Sequence, residues 1–218
     1  MTNTSASIIN FDYDYSALER DRVIIDASAV LNSNGFKSLI ERYYPTLDKT
    51  KRQLLIPKGI IAEMESNARR INDRKYTADV NTAIHNIEMT IQKGYFKYFG
   101  SAEDTCAEAI CKYLMLNRKT CDITVIAQYA DLRDDVMLFN SLKTLPGKRI
   151  VIKCLTSDGR LEDFENVRTA PAATTRTSNA GEYHLPEYAR AFREHKSPKD
   201  ENDIINSAMA SYIAATSK

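Results

Sequence analysis

The sequence predicts an α/β fold of three layers: a central, mainly parallel five-stranded sheet between helices, followed by a C-terminal helical extension. Three observations carry this expectation. Short apolar, β-branched runs (VII at 23–25, LLI at 54–56, ITVI at 123–126) are bounded by polar residues, as strands buried on both faces require. Longer stretches with apolar residues at helical spacing lie between them. Strand and helix alternate five times, a pattern that calls for parallel strands joined by crossover helices.

The first strand covers 22–25 and ends on Asp26, followed by the small residues of ASAVLN. Two roles are open to Asp26: a site residue at the carboxyl end of a buried strand, or the cap of the next helix. The spacing predicts a helix over 35–44, with Phe36, Leu39, Ile40 and Tyr43 on one face, ended by Pro45 and the polar LDKTKRQ. Residues 54–57 form the second strand. Pro57 fits the first turn of the following helix, PKGIIAEMESNARRINDR, where its missing N–H costs nothing. Glu63 falls two turns into that helix, between Ile61 and Met64, and so points toward the core side. A carboxylate there calls for a partner or a metal.

A third helix over 76–93 repeats Val80, Ile84, Ile87 and Ile91, and Gly94 closes it. YFKYF at 95–99 alternates like a short strand. SAEDTCAEAICKYLMLN reads as a helix with Ser101 as N-cap and Asp104 completing a capping box. The fourth strand is 123–126, a helix covers 131–143, and Pro146-Gly147 turns into a fifth strand over 149–155. The expected organisation is an N-terminal arm (1–21), the α/β domain (22–164), a linker (165–182) rich in Thr, Ala and Ser, and a C-terminal helical segment (183–218).

The 30 Lys and Arg balance 29 Asp and Glu over 218 residues, so composition gives no basic-domain argument for nucleic-acid binding. Cys106, Cys111, Cys121 and Cys154 make no CxxC pair, and His85, His184 and His195 have no zinc spacing. With no signal peptide and no long apolar stretch, the expectation is a cytoplasmic protein with reduced thiols and no membrane partner. Lys49, Lys51, Arg52, Arg69, Arg70 and Arg74 flank the first helices as phosphate contacts or solvated faces.

The chemistry resides in carboxylates. Asp26 ends the first strand, Glu63 follows the second, Glu103, Asp104 and Glu108 precede the fourth, and Asp131, Asp134 and Asp135 follow it. Acids converging on one spot repel one another unless a cation neutralises them, and Mg²⁺ or Mn²⁺ prefers such oxygen ligands. No phosphate-cradling glycine loop or Ser-His-Asp arrangement competes with that reading.

VIIDASAVL, then LLIPKGIIAEM, then a helix before ITVIAQYADL resemble, over about residues 22–160, the signature segments of PIN-domain nucleases. The resemblance implies a PIN-like fold and a metal-dependent endoribonuclease acting on RNA rather than DNA. Asp26 and Glu63 would hold Mg²⁺ or Mn²⁺, with Asp104 and Asp131 as further catalytic and metal-binding acids. The family's third acid falls at Ala107, and Asp104 lies one turn earlier. In the later motif Tyr129 stands at an aspartate position, while Asp131 and Leu132 match. The alternative is a catalytically degenerate PIN-like domain that binds nucleic acid or protein. A homo-oligomer or protein partner would use the C-terminal helices.

Overall fold

The computed structural model describes residues 16–141 and 147–163, apart from the side chain of Asp131. The expected linker over 165–182 and helical segment over 183–218 lie outside the described residues. Six strands form one sheet: β1 (Arg22–Ile25), β2 (Leu54–Pro57), β3 (Phe96–Phe99), β4 (Ile123–Ile126), β5 (Val151–Leu155) and β6 (Leu161–Asp163). Their spatial order is β3-β2-β1-β4-β5-β6, all parallel except β6, which runs antiparallel to β5. The sheet therefore has six strands where the sequence predicts five. The extra strand closes a hairpin at Asp158-Gly159, with Gly159 at φ +87°, a conformation that suits a residue without Cβ.

Side-chain alternation along the strands divides the core into two layers. Val23, Ile25, Leu54, Ile56 and Phe96 face α1 (Ala27–Leu31), α2 (Ser33–Thr50), α3 (Ile60–Ile71) and α4 (Arg74–Gln92). Ile24, Leu55, Ile123, Val125 and Ile152 face α5 (Cys106–Asn117) and α6 (Ala130–Ser141). A mostly parallel sheet with helices on both sides is the predicted α/β class.

Three local expectations are corrected. The helix over 35–44 does not stop at Pro45; α2 continues to Thr50, because Leu47 extends the buried ridge of Phe36, Leu39, Ile40 and Tyr43. Packing of that ridge outweighs the backbone bond that proline cannot donate. Pro57 ends β2 rather than opening a helix. The helix begins at Ile60 behind Gly59, so Glu63 stands in its first turn, not two turns in. The helix after β3 begins at Cys106, not near Ser101. Its capping box is Thr105 with Glu108, whose side chain and backbone exchange both bonds. Within the stretch read as an N-terminal arm, Ala17 and Leu18 are buried in the first core layer. Their carbonyls accept bonds from Thr124 Oγ1 (2.7 Å) and Tyr43 Oη (2.9 Å).

From β1 the chain steps outward through β2 to β3, then returns to place β4 on the other side of β1. The carboxyl ends of β1 and β4 therefore flank a topological switch point, where connections depart in opposite directions and leave a crevice.

Candidate functional site

Asp26 stands at that switch point, immediately beyond β1 and 2 % exposed. It caps α1: its Oδ2 accepts from the backbone N–H of Ser28 (3.0 Å) and from the Ser28 hydroxyl. Ser28 Oγ in turn accepts from the backbone N–H of Gln128, just past β4 (2.9 Å). The two roles proposed for Asp26 are compatible, since capping engages Oδ2. Burial, opposed by the bonds from Ser28 and reinforced by the charge of Glu63, pushes the Asp26 carboxyl up to about 6 from an ordinary 3.8.

Glu63 reaches the same place from the first turn of α3. Its Oε2 accepts from the backbone N–H of Cys106, the first residue of α5, at 2.6 Å. An acid at a helix N-terminus answers an orphan donor and the positive end of the helix dipole. This bond ties α3 to α5. Gly59, the residue before α3, is needed for the approach: a Cβ there would meet the backbone oxygen of Asp104 at 2.5 Å.

Cys106 was visible in the sequence only as a free thiol. Its fully buried side chain lies under the charges of Glu63 and Asp26 and bonds Glu63, and burial and these acids hold the thiol well above its ordinary value. It is a protonated donor, not a thiolate. Two tyrosines complete the surroundings. Burial, Tyr76, Asp26 and Glu63 push the Tyr129 hydroxyl up to about 12, although the residue as a whole is 39 % exposed. Burial and Glu63 raise Tyr76, near the start of α4. Ser28, Cys106 and Tyr76 were not read as site residues. Their signal was faint: Ser28 two residues past a strand-ending aspartate, and Cys106 one before the family's acidic position.

Asp104, the third expected acid, is engaged outside this pair. Asp104 Oδ1 accepts from Lys112 Nζ at 2.6 Å and Oδ2 from the backbone N–H of Ser101 at 3.2 Å. It shapes the loop before α5 and neutralises a lysine of that helix. Asp131 lies in the first turn of α6, and its side chain is outside the described residues. Among the described residues no group of three or more His, Cys, Asp or Glu is placed to hold a metal. Among them too, neither Asp26 nor Glu63 has an ion pair.

Compared with protein-family models, with curated proteins and with solved structures, the chain gives no match in any of the three. No helix among the described residues is long and apolar enough to cross a membrane.

Proposed function

We propose that this is a PIN-like, metal-dependent endoribonuclease, with Asp26 and Glu63 as the residues that hold Mg²⁺ or Mn²⁺. The observation that carries the reading is the Asp26–Glu63 pair itself: two acids from different elements, brought together at the switch point with no cationic side chain among the described residues bonded to either. Two carboxylates and retained waters are a sufficient donor set for a hard divalent cation. When bound, the cation supplies Lewis-acid stabilisation of phosphoryl charge and an activated water.

The chain's own residues account for the remaining work. The bonds from Ser28 fix the Asp26 rotamer, and the Cys106 N–H fixes Glu63, so both carboxylates are oriented in advance. Ser28 also couples the ends of β1 and β4 through Gln128. Tyr129, partly exposed and with its hydroxyl near the acids, is suited to contact with an unstacked base.

RNA is the substrate class implied by the resemblance in VIIDASAVL and LLIPKGIIAEM. Labelled single-stranded RNA incubated with Mn²⁺ should be cleaved by the full chain. Cleavage should fall by about 100-fold or more in Asp26→Asn, since even residues supporting metal ligands are worth about 10–100-fold. Full activity in Asp26→Asn/Glu63→Gln would refute the assignment.

A second reading is favoured by two specific observations, the Asp104–Lys112 ion pair and the tyrosines at the acid pair. On that reading the domain binds nucleic acid or a protein without cutting. RNA retained but not cleaved with Mn²⁺ would select it.

A further inference from the structure

Away from the acid pair, a cleft of about 440 Å³ opens beside the amino ends of β1 and β2 and along β3. Both faces of the sheet contribute to its lining, Val23 and Leu54 from one, Arg22, Leu55, Lys97 and Phe99 from the other. Leu55 is in register with both Ile24 and Lys97, and alternation puts Arg22 and Phe99 on that same face. Phe99 packs edge-on against Tyr113 of α5, with ring centroids 4.9 Å apart. Lys51 and Arg52 stand at its rim.

The charges lining this cleft are one-sided. Arg20, Arg22, Lys51, Arg52 and Lys97 line it with a single acid, Asp21, and Arg20 is paired at 3.3 Å with Asp122 outside it. Arg22, Arg52 and Lys97 have no ion pair among the described residues, and Lys51 reaches Asp48 only at 3.9 Å on the exposed surface. The Asp21 carboxyl is held low, first by the backbone N–H of Asp122, then by Lys148, Arg22 and Arg52. A neutral protein thus concentrates cations beside an aromatic pair. Lysines and arginines answer phosphate charge, and aromatic faces and edges answer a base.

We propose that this cleft binds a nucleotide unit, its phosphate on Arg22, Arg52 and Lys97 and its base against Phe99 and Tyr113. The source is either a single RNA strand or a free nucleotide. The site is independent of the cation reading. Arg22 and Asp26 are four residues apart along β1, about 13 Å at strand rise, and nothing in the cleft requires a metal.

The test is fluorescence anisotropy of the full chain with a labelled oligouridylate, at low salt and with EDTA present. Uridine monophosphate serves as competitor. Binding should weaken about tenfold in Arg22→Ala/Lys97→Ala, two exposed side chains whose loss leaves the core intact. The slope of log affinity against log salt should become shallower by about 1.4, the share of two phosphate contacts on a single strand. Phe99→Leu should weaken binding without changing the slope.

Competition by uridine monophosphate identifies a nucleotide pocket, and its absence identifies a strand path. Either supports the inference. Unchanged affinity and slope in the double variant would overturn it, as would failure of the wild-type chain to bind either probe. Asp26→Asn should bind like wild type, so loss of cleavage with retained binding separates the two assignments.

Discussion

Asp26 is held under opposing demands. Capping α1 requires an acceptor at this position, but burial and Glu63 disfavour its charge. A rise from 3.8 to about 6 corresponds to about 3 kcal/mol of disfavoured ionisation. The folded state therefore holds this proton more tightly than the unfolded chain does. The contribution from neutral Asp26 is fully present below pH 3.8 and is lost as pH rises through about 6. Asn keeps a cap acceptor without the charge. Asp26→Asn should accordingly stabilise the fold by about 2 kcal/mol near neutral pH, with the gain vanishing toward pH ~4. Urea unfolding at the two pH values measures this, and equal or lower stability at neutral pH would contradict it. As a proposed cation ligand, Asp26 would hold this cost in exchange for function.

Sequence reasoning reached the acids only in part, for identifiable reasons. Asp26 and Glu63 were legible because each follows a strand at a defined step. The helix before β4 starts later than its sequence suggests, so Asp104 is not its capping-box acid. Ser101 and Asp104 imitate a capping box, while the operative pair, Thr105 and Glu108, is the same motif four residues later. Cys106 becomes a site residue only through that later start, which aims its N–H at Glu63. Tertiary approach, not local pattern, makes that bond.

At the scale of elements, α2 and α3 show where packing overrides punctuation. Pro45 sits inside α2 against an interior penalty of about 3 kcal/mol relative to alanine, partly offset by the restricted unfolded chain. Pro45→Ala should raise stability by about 2 kcal/mol, read as a higher urea midpoint with unchanged slope. A lower midpoint would mean that the ring packs favourably where it stands. Gly59 behaves oppositely. Alanine there would press its Cβ on the Asp104 backbone, which has no flexible side chain to yield. Gly59→Ala should cost about 1–3 kcal/mol. It should also weaken Mn²⁺ binding, because the loop that moves carries both Cys106 and the approach of Glu63. Unaltered unfolding and Mn²⁺ affinity would show that the close approach is dispensable.

At the scale of the whole molecule, the strand order explains why two acids distant in sequence meet. Placing β4 beside β1 after an excursion through β2 and β3 creates the crevice. The parallel sheet was legible because its central strands are buried on both faces and read as unbroken apolar runs. Strand β6 was not, since three residues behind a turn carry no period, although Asp158-Gly159 marked the hairpin. The described fold thus offers two separate places for polar chemistry: the acid pair at the carboxyl end of β1 and the basic cleft at its amino end.

The assignment of a cation to Asp26 and Glu63 is tested most directly by titrating the full chain with Mn²⁺ in a calorimeter, beside Asp26→Asn/Glu63→Gln and Asp104→Asn. A site built from the pair should bind one Mn²⁺ with an affinity that falls as pH drops through about 6, where Asp26 takes up its proton. The double variant should lose that heat, and Asp104→Asn should keep it. Absence of binding by the wild-type chain, or equal binding by the double variant, would contradict the assignment.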